Sequence, residues 1–295
     1  MKRIVPLLAF LSLLPGAAPA GAQDLREELL ERINRERREA GSPPLRLSRP
    51  LTRAAQEHAE EIARRGSSRL EAGPPGAMQK RIERAGYDAH AWTESLSVTP
   101  GDAEAAIRSW KRNDSGTFRR LLSAEYRDLG IGLDRLRGTP LYVFLFAVPQ
   151  GDYFTRETAG LRDMERVRAE VLARVNEARR RAGVRPLRSD PLLDRAAQRH
   201  AQDMLARGYF AHESPEDDTV RERAKQAGYD WRTIGENIAE GQFTVDEVMT
   251  TWLNSPGHRR NILDSRFEEL GVGLALGRAN GRYRVLWAQA FGTPR

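Results

Sequence analysis

Four side chains in the C-terminal half are suited to chemistry: His212, Glu236, Ser255 and His258, with Asn237 beside the carboxylate. Two imidazoles and a carboxylate make a three-ligand zinc set that leaves one coordination position open. The same three groups would serve equally as a general acid–base cluster. They stand 24 and 22 residues apart, too far for a helical zinc motif, so separate elements have to bring them together. Ser255, three residues before His258, raises a Ser–His pair. Its place reads instead as a helix N-cap with the hydroxyl engaged by backbone, and no G-x-S-x-G pattern surrounds it.

The elements follow from local signals. Thr244 and Glu247 read as a capping box that opens an amphipathic helix running to Trp252. Ser255-Pro256 ends it and starts another, with Pro256 at the first position. His258 then lies in the first turn, where the helix dipole disfavours the imidazolium and leaves the neutral ring that binds metal or accepts a proton. His212 falls in a loop, and Glu236 on a short strand over Glu236 to Ala239. Leu270 to Leu276 and Tyr283 to Phe291 read as strands of a hairpin turning at Asn280-Gly281. Upstream, Leu193, Ala196, Ala197, His200, Ala201, Met204 and Leu205 form a helical stripe, and another helix stops at Ala227-Gly228.

Most of this layout is written twice. A shift of 142 residues sets Ile33-Asn34 on Val175-Asn176, Arg53-Ala54-Ala55-Gln56 on Arg195-Ala196-Ala197-Gln198, and Ala85-Gly86-Tyr87-Asp88 on Ala227-Gly228-Tyr229-Asp230. Glu94 meets Glu236 and Trp110 meets Trp252; one extra residue later sets Leu129-Gly130 on Leu270-Gly271. Two copies are too few for a solenoid, so the class is α+β: two tandem domains with helices packed around small antiparallel sheets. The expected division is a leader over 1–22, a first domain over 23–150, a linker over 151–164 and a second domain over 165–295. His58 and His200 share one place on the helix stripe and read as structural; His90, without a counterpart, reads as incidental. Leu70 stands at the position of His212, Thr117 at that of His258, and Ser95 at that of Asn237.

Composition narrows the setting. Lys2-Arg3, an apolar run from Ile4 to Leu14, then Ala20-Gly21-Ala22 have the order of a secretory signal, and no later run is long or apolar enough to span a membrane. Export to the periplasm or beyond the cell is expected. The chain has no cysteine, which removes thiol chemistry and disulfides and leaves stability to core packing. Without Lys2 and Arg3, Lys+Arg exceed the 41 Asp+Glu by five. That excess is spread through helices that also carry Glu, a solvated surface and not a nucleic-acid site.

Four stretches carry a family resemblance: Phe210-Ala211-His212-Glu213-Ser214-Pro215, Gly235-Glu236-Asn237-Ile238-Ala239, Trp252 through Leu263, and Trp287-Ala288-Gln289-Ala290-Phe291-Gly292. As an ordered set they resemble the CAP superfamily, which includes cysteine-rich secretory proteins, venom antigens, plant pathogenesis-related proteins and bacterial SCP-like proteins. The resemblance implies an α-β-α sandwich with a cleft lined by two His and two Glu. His212, Glu236 and His258 match three of those positions; the second Glu falls where this chain has Ser255. The first copy keeps Glu94 and Trp110 but has Val148 for Gln289, and resembles a degenerate member. The resemblance implies a binding or interaction module whose His/Glu cleft takes zinc or another divalent metal, a lipid or a cell-envelope ligand. A hydrolase using metal-bound water, or Glu236 with a histidine as base, stays open beside it.

Overall fold

A computed structural model describes residues 20–66 and 76–295. The expected leader lies almost wholly outside the described residues, as do Leu70 and Glu71. Contacts divide the chain into two units meeting between Asp152 and Tyr153. Among the described residues, no helix is long and apolar enough to cross a membrane.

The first unit runs α1 (Ala20–Glu39), β1 (Arg46–Leu47), α2 (Arg49–Arg65), α3 (Ala77–Arg84), β2 (Ala89–Val98), α4 (Ala103–Asn113), α5 (Ser115–Leu122), β3 (Asp128–Leu136) and β4 (Thr139–Pro149). Helix α6 (Gln150–Glu157) and a 3₁₀ turn (Ala159–Leu161) follow. The second unit continues with α7 (Met164–Arg181), β5 (Arg188–Ser189), α8 (Pro191–Arg207), α9 (Val220–Gln226), β6 (Trp231–Glu240), α10 (Val245–Asn254), α11 (Pro256–Leu263), β7 (Glu269–Ala279) and β8 (Arg282–Pro294). The stretch 151–164, read from sequence as a linker, is thus largely helical. It buries Phe154 and Leu161 in the second unit's core.

Each unit is a three-layer sandwich around one four-stranded sheet, ordered β1-β3-β4-β2 in the first and β5-β7-β8-β6 in the second. The long strands pair antiparallel. The two-residue strands β1 and β5 add a parallel edge that the sequence did not suggest. Strand β8 is covered on both faces and is therefore apolar along most of its length. Val285, Trp287 and Phe291 enter the core beneath α7 and α10. Leu286, Ala288 and Ala290 enter the core beneath α8. Between β7 and β8, Asn280 and Gly281 have φ of 50° and 77°, the pair of positive values that a tight hairpin turn requires.

Two features lock helices onto this sheet. A Cβ at Gly271 would stand 2.0 Å from the Leu193 carbonyl carbon, and one at Gly273 2.2 Å from that of Ala197. The small residues of α8 and the Gly-x-Gly of β7 therefore allow backbone-to-backbone packing. On the other face, the fully buried Arg179 of α7 donates to the carbonyls of Arg185, Ile262, Asp264 and Phe267. Burial holds its pKa below the usual guanidinium value. The loop after α11 is fixed to α7 by this one side chain, and with it the place of His258. Arg37 repeats the device in the first unit, donating to the carbonyls of Pro43, Leu121, Ser123 and Tyr126.

Candidate functional site

The site gathers at the edge of the second sheet, where β6 meets the loop before α9 and the start of α11. Side chains alternate along a strand, so Glu236 and Asn237 face opposite sides. Glu236 turns toward α8 and α9, and its side chain is only 4% exposed. Its Oε1 accepts from an Arg223 NH2 group at 2.6 Å, and its Oε2 lies 2.9 Å from His212 Nδ1. Buried His200 of α8 brings Nε2 within 3.7 Å of the same oxygen. Arg223 also donates to the carbonyls of His212 and Asp218, so one guanidinium ties the loop to the carboxylate.

Asn237 turns the other way and is fully buried. Its amide nitrogen donates to the His258 carbonyl at 3.2 Å and to Gln289 Oε1 at 3.1 Å. Asn261 donates in turn to the Glu236 carbonyl and to Asn237 Oδ1, both at 2.9 Å. This amide network seats α11 against the strand and places His258. The first copy has Ser95, Arg120 and Val148 at the positions of Asn237, Asn261 and Gln289, and keeps only an Arg120-to-Ser95 contact.

The two candidate imidazoles differ electrostatically. His212 is exposed, and its hydrogen bond to Glu236 holds its pKa above the usual histidine value. That bond occupies Nδ1 and leaves Nε2 on the outer side of the ring. His258 is half-buried; burial, and secondly the positive charge of His212, push its pKa down. Its Nδ1 is buried without a hydrogen-bond partner among the described residues. Ser255 corrects the sequence expectation in one respect. It occupies the N-cap position and its carbonyl accepts from the Arg259 amide, but its side chain makes no capping bond. Pro256 has no N–H to offer, and helix α11 does not use the serine oxygen. Thr244 does cap α10, accepting from the Glu247 amide, while Glu247 reaches back to the Phe243 amide instead of that of Thr244.

Among the described residues, no group of three or more His, Cys, Asp or Glu is disposed to hold a metal ion. Both oxygens of Glu236 have partners, and one partner is a buried cation. Sequence reasoning missed Arg223, and with it the role of His200 beside the carboxylate. Arg223 stands in a run of charged residues that looks like any solvated helix face; its one signal is that it falls on Arg81 in the internal repeat.

The match to a known family follows the same two-part division. The family model described as the cysteine-rich secretory protein family, CAP, matches residues 30–146 and 172–291. The uncharacterized protein YkwD of Bacillus subtilis is 41% identical over 104 residues, 35% of this chain and 40% of that protein. The uncharacterized membrane protein YlbC of the same organism is 32% identical over 105 residues, 36% of this chain and 30% of that protein. The chain thus spans well under half the length of either relative. Among solved structures, an SCP-domain extracellular protein from Bacillus anthracis is 21% identical, with a TM-score of 0.38, over 55% of this chain and 59% of that one. An outer surface protein from Borrelia burgdorferi is 18% identical, with a TM-score of 0.40, over 45% and 96%. With two matched regions that together take in most of its length, the chain belongs to the cysteine-rich secretory protein family, CAP, as a tandem pair, although it has no cysteine of its own.

Proposed function

We propose that this is an exported binding protein, acting in the periplasm or outside the cell, and that its second domain presents His212 and His258 together to one ligand. The observation that carries this reading is the pairing of Glu236 with His212 Nδ1 at 2.9 Å. A carboxylate behind an imidazole fixes the tautomer and orients the other ring nitrogen toward a ligand. Next to it, His258 is held toward its neutral form with a nitrogen that has no partner. A three-donor zinc site of His212, Glu236 and His258 does not fit this arrangement, because Arg223 and His212 already take the carboxylate. The ion in this reading is a divalent one held by the two imidazoles alone, with Glu236 behind His212 as its orienting group. Its remaining positions are open to water or to a polar group of a lipid or cell-envelope ligand.

Isothermal titration of the chain lacking residues 1–22 with zinc tests this. Binding is expected that His258→Ala abolishes and that Glu236→Gln weakens without abolishing, since the amide can still accept from the His212 ring. Absence of zinc binding by the wild type, or equal binding by His258→Ala, refutes the metal at these imidazoles. A second reading rests on the same pair: His212, oriented by Glu236, as the base of a hydrolase. Turnover of ester or peptide substrates by metal-free protein, lost in His212→Gln, would favour it.

A further inference from the structure

On the other side of Glu236, between α8 and the loop before α9, lies a cavity of about 190 Å³. Buried His200 and Arg223 and exposed Arg199 are among its lining residues. Two buried polar atoms of these residues have no hydrogen-bond partner among the described residues: His200 Nδ1 and Arg223 Nε. The first copy gives a comparison: its histidine nitrogen has a hydrogen-bond partner, and its arginine Nε faces a carboxylate at ion-pair distance. His58, at the position of His200, brings its Nδ1 to 2.6 Å from Glu94. Arg81, at the position of Arg223, turns to Glu61 and carries Nε to 3.9 Å from Glu57. In the second copy Asp203 replaces Glu61 and is held by Arg207 and Tyr209, while Arg199 replaces Glu57 and reverses its charge. The change from Glu57 to Arg199 thus removes from the second domain the carboxylate that faces the arginine Nε in the first.

The chemistry of the orphans selects a ligand. His200 Nε2 stands 3.0 Å from the Ala211 carbonyl, which can only accept. The hydrogen is therefore on Nε2 and, in the neutral ring that burial favours, Nδ1 is an acceptor. Arg223 Nε–H is a donor. A hydroxyl group serves both at once, its oxygen accepting from Arg223 and its hydrogen going to His200. An anion would find little net attraction, since Asp203, Glu216 and Asp218 line the cavity against three arginines, and Arg223 already has Glu236. A metal cation would face the arginines. A single bridging water needs only about 10–15 Å³ of such space, far less than the cavity offers.

We propose that this cavity is a binding site for a neutral polyhydroxyl ligand, a saccharide unit, with one hydroxyl bridging Arg223 Nε and His200 Nδ1. Further hydroxyls would donate to Asp218 and accept from the exposed Arg199. The cavity adjoins the His212/His258 site through Arg223 and His200, which both touch Glu236, but its test does not involve metal. The chain lacking residues 1–22 is titrated with glucose and with N-acetylglucosamine, and with sodium acetate and phosphate as anionic controls. The readout is the NMR signals of the Arg223 Nε–H and the His200 ring nitrogens. A saturable shift of both signals with sugar, and none with the anions, is the expected result. Arg199→Glu restores the carboxylate that the first copy carries and supplies Arg223 Nε with an internal competitor. It is an exposed change that spares the core, and it is expected to weaken sugar binding about tenfold. Overturning results are an absence of shift with either sugar, shifts by anions alone, or undiminished binding by Arg199→Glu. Each of these would leave the cavity to water or to an oxyanion.

Discussion

At the scale of single residues, three histidines of the second domain have been given different protonation behaviour by their surroundings. His212 has a pKa raised above the ordinary 6.5, first by its hydrogen bond to Glu236. Its contribution to stability is therefore fully present below about pH 6.5 and is lost as the pH rises through the folded value. His200 and His258 have lowered values, first because of burial. Theirs is present above about pH 6.5 and is lost as the pH falls through the folded values. The second domain is thus expected to be most stable near pH 6.5 as far as these groups decide. On the acid side His200 alone can contribute a slope of up to about 1.4 kcal/mol per pH unit. Chemical denaturation of the chain across pH 5 to 8 checks this. His212→Gln should flatten the alkaline limb and His200→Phe the acid limb; an acid limb unchanged by His200→Phe contradicts the assignment.

At the scale of elements, the packing of α8 on β7 makes a sharp demand on sequence. Gly273 is met at 2.2 Å by the Ala197 backbone, and a backbone inside a helix cannot rotate aside as a flexible side chain does. Gly273→Ala is expected to cost about 3 kcal/mol or more, at or beyond the upper end of ordinary overpacking. Gly257 in the first turn of α11 is the matched control: its nearest neighbour is an arginine tip at 3.9 Å. Gly257→Ala should be neutral or stabilise by about 0.5–1 kcal/mol, as alanine usually does in a helix. Equal destabilisation by both substitutions, in denaturation or calorimetry, would show that the close helix–strand approach is not what Gly273 serves. The Leu-Gly-x-Gly of β7 and the alanines of α8 were both visible in the sequence. That they meet each other was not, because small residues only announce that something comes close.

At the scale of the whole molecule, the join between the two units is the feature most changed by the structure. The stretch 151–164 carries Phe154 and Leu161 into the second core, and Asp163 caps α7 by accepting from the Arg166 amide. A fragment beginning at Glu165 loses all three, whereas one beginning at Tyr153 keeps them. The shorter fragment is expected to be less stable by about 4 kcal/mol or more, from roughly 1.5–3 kcal/mol for each buried side chain and about 1 kcal/mol for the cap. Denaturation midpoints of the two fragments decide it; equal midpoints would make the helical stretch a spacer after all.

What the sequence determined by itself was the content of each domain. The repeat, the helix stripe of α8, the hairpin at Asn280-Gly281 and the ordered motifs of the CAP family depend on local periodicity and on residue identity. These are properties that a chain carries before it folds. Tertiary structure decided which groups share a site. Strand alternation sent Glu236 toward Arg223 and His200 and sent Asn237 toward α11, so neighbours in sequence serve opposite faces of the sheet. It also decided that the carboxylate is spent on a buried arginine 13 residues away. Nothing in a run of charged residues marks which guanidinium turns inward, because that depends on the shape left between a helix, a loop and a sheet edge that only packing creates.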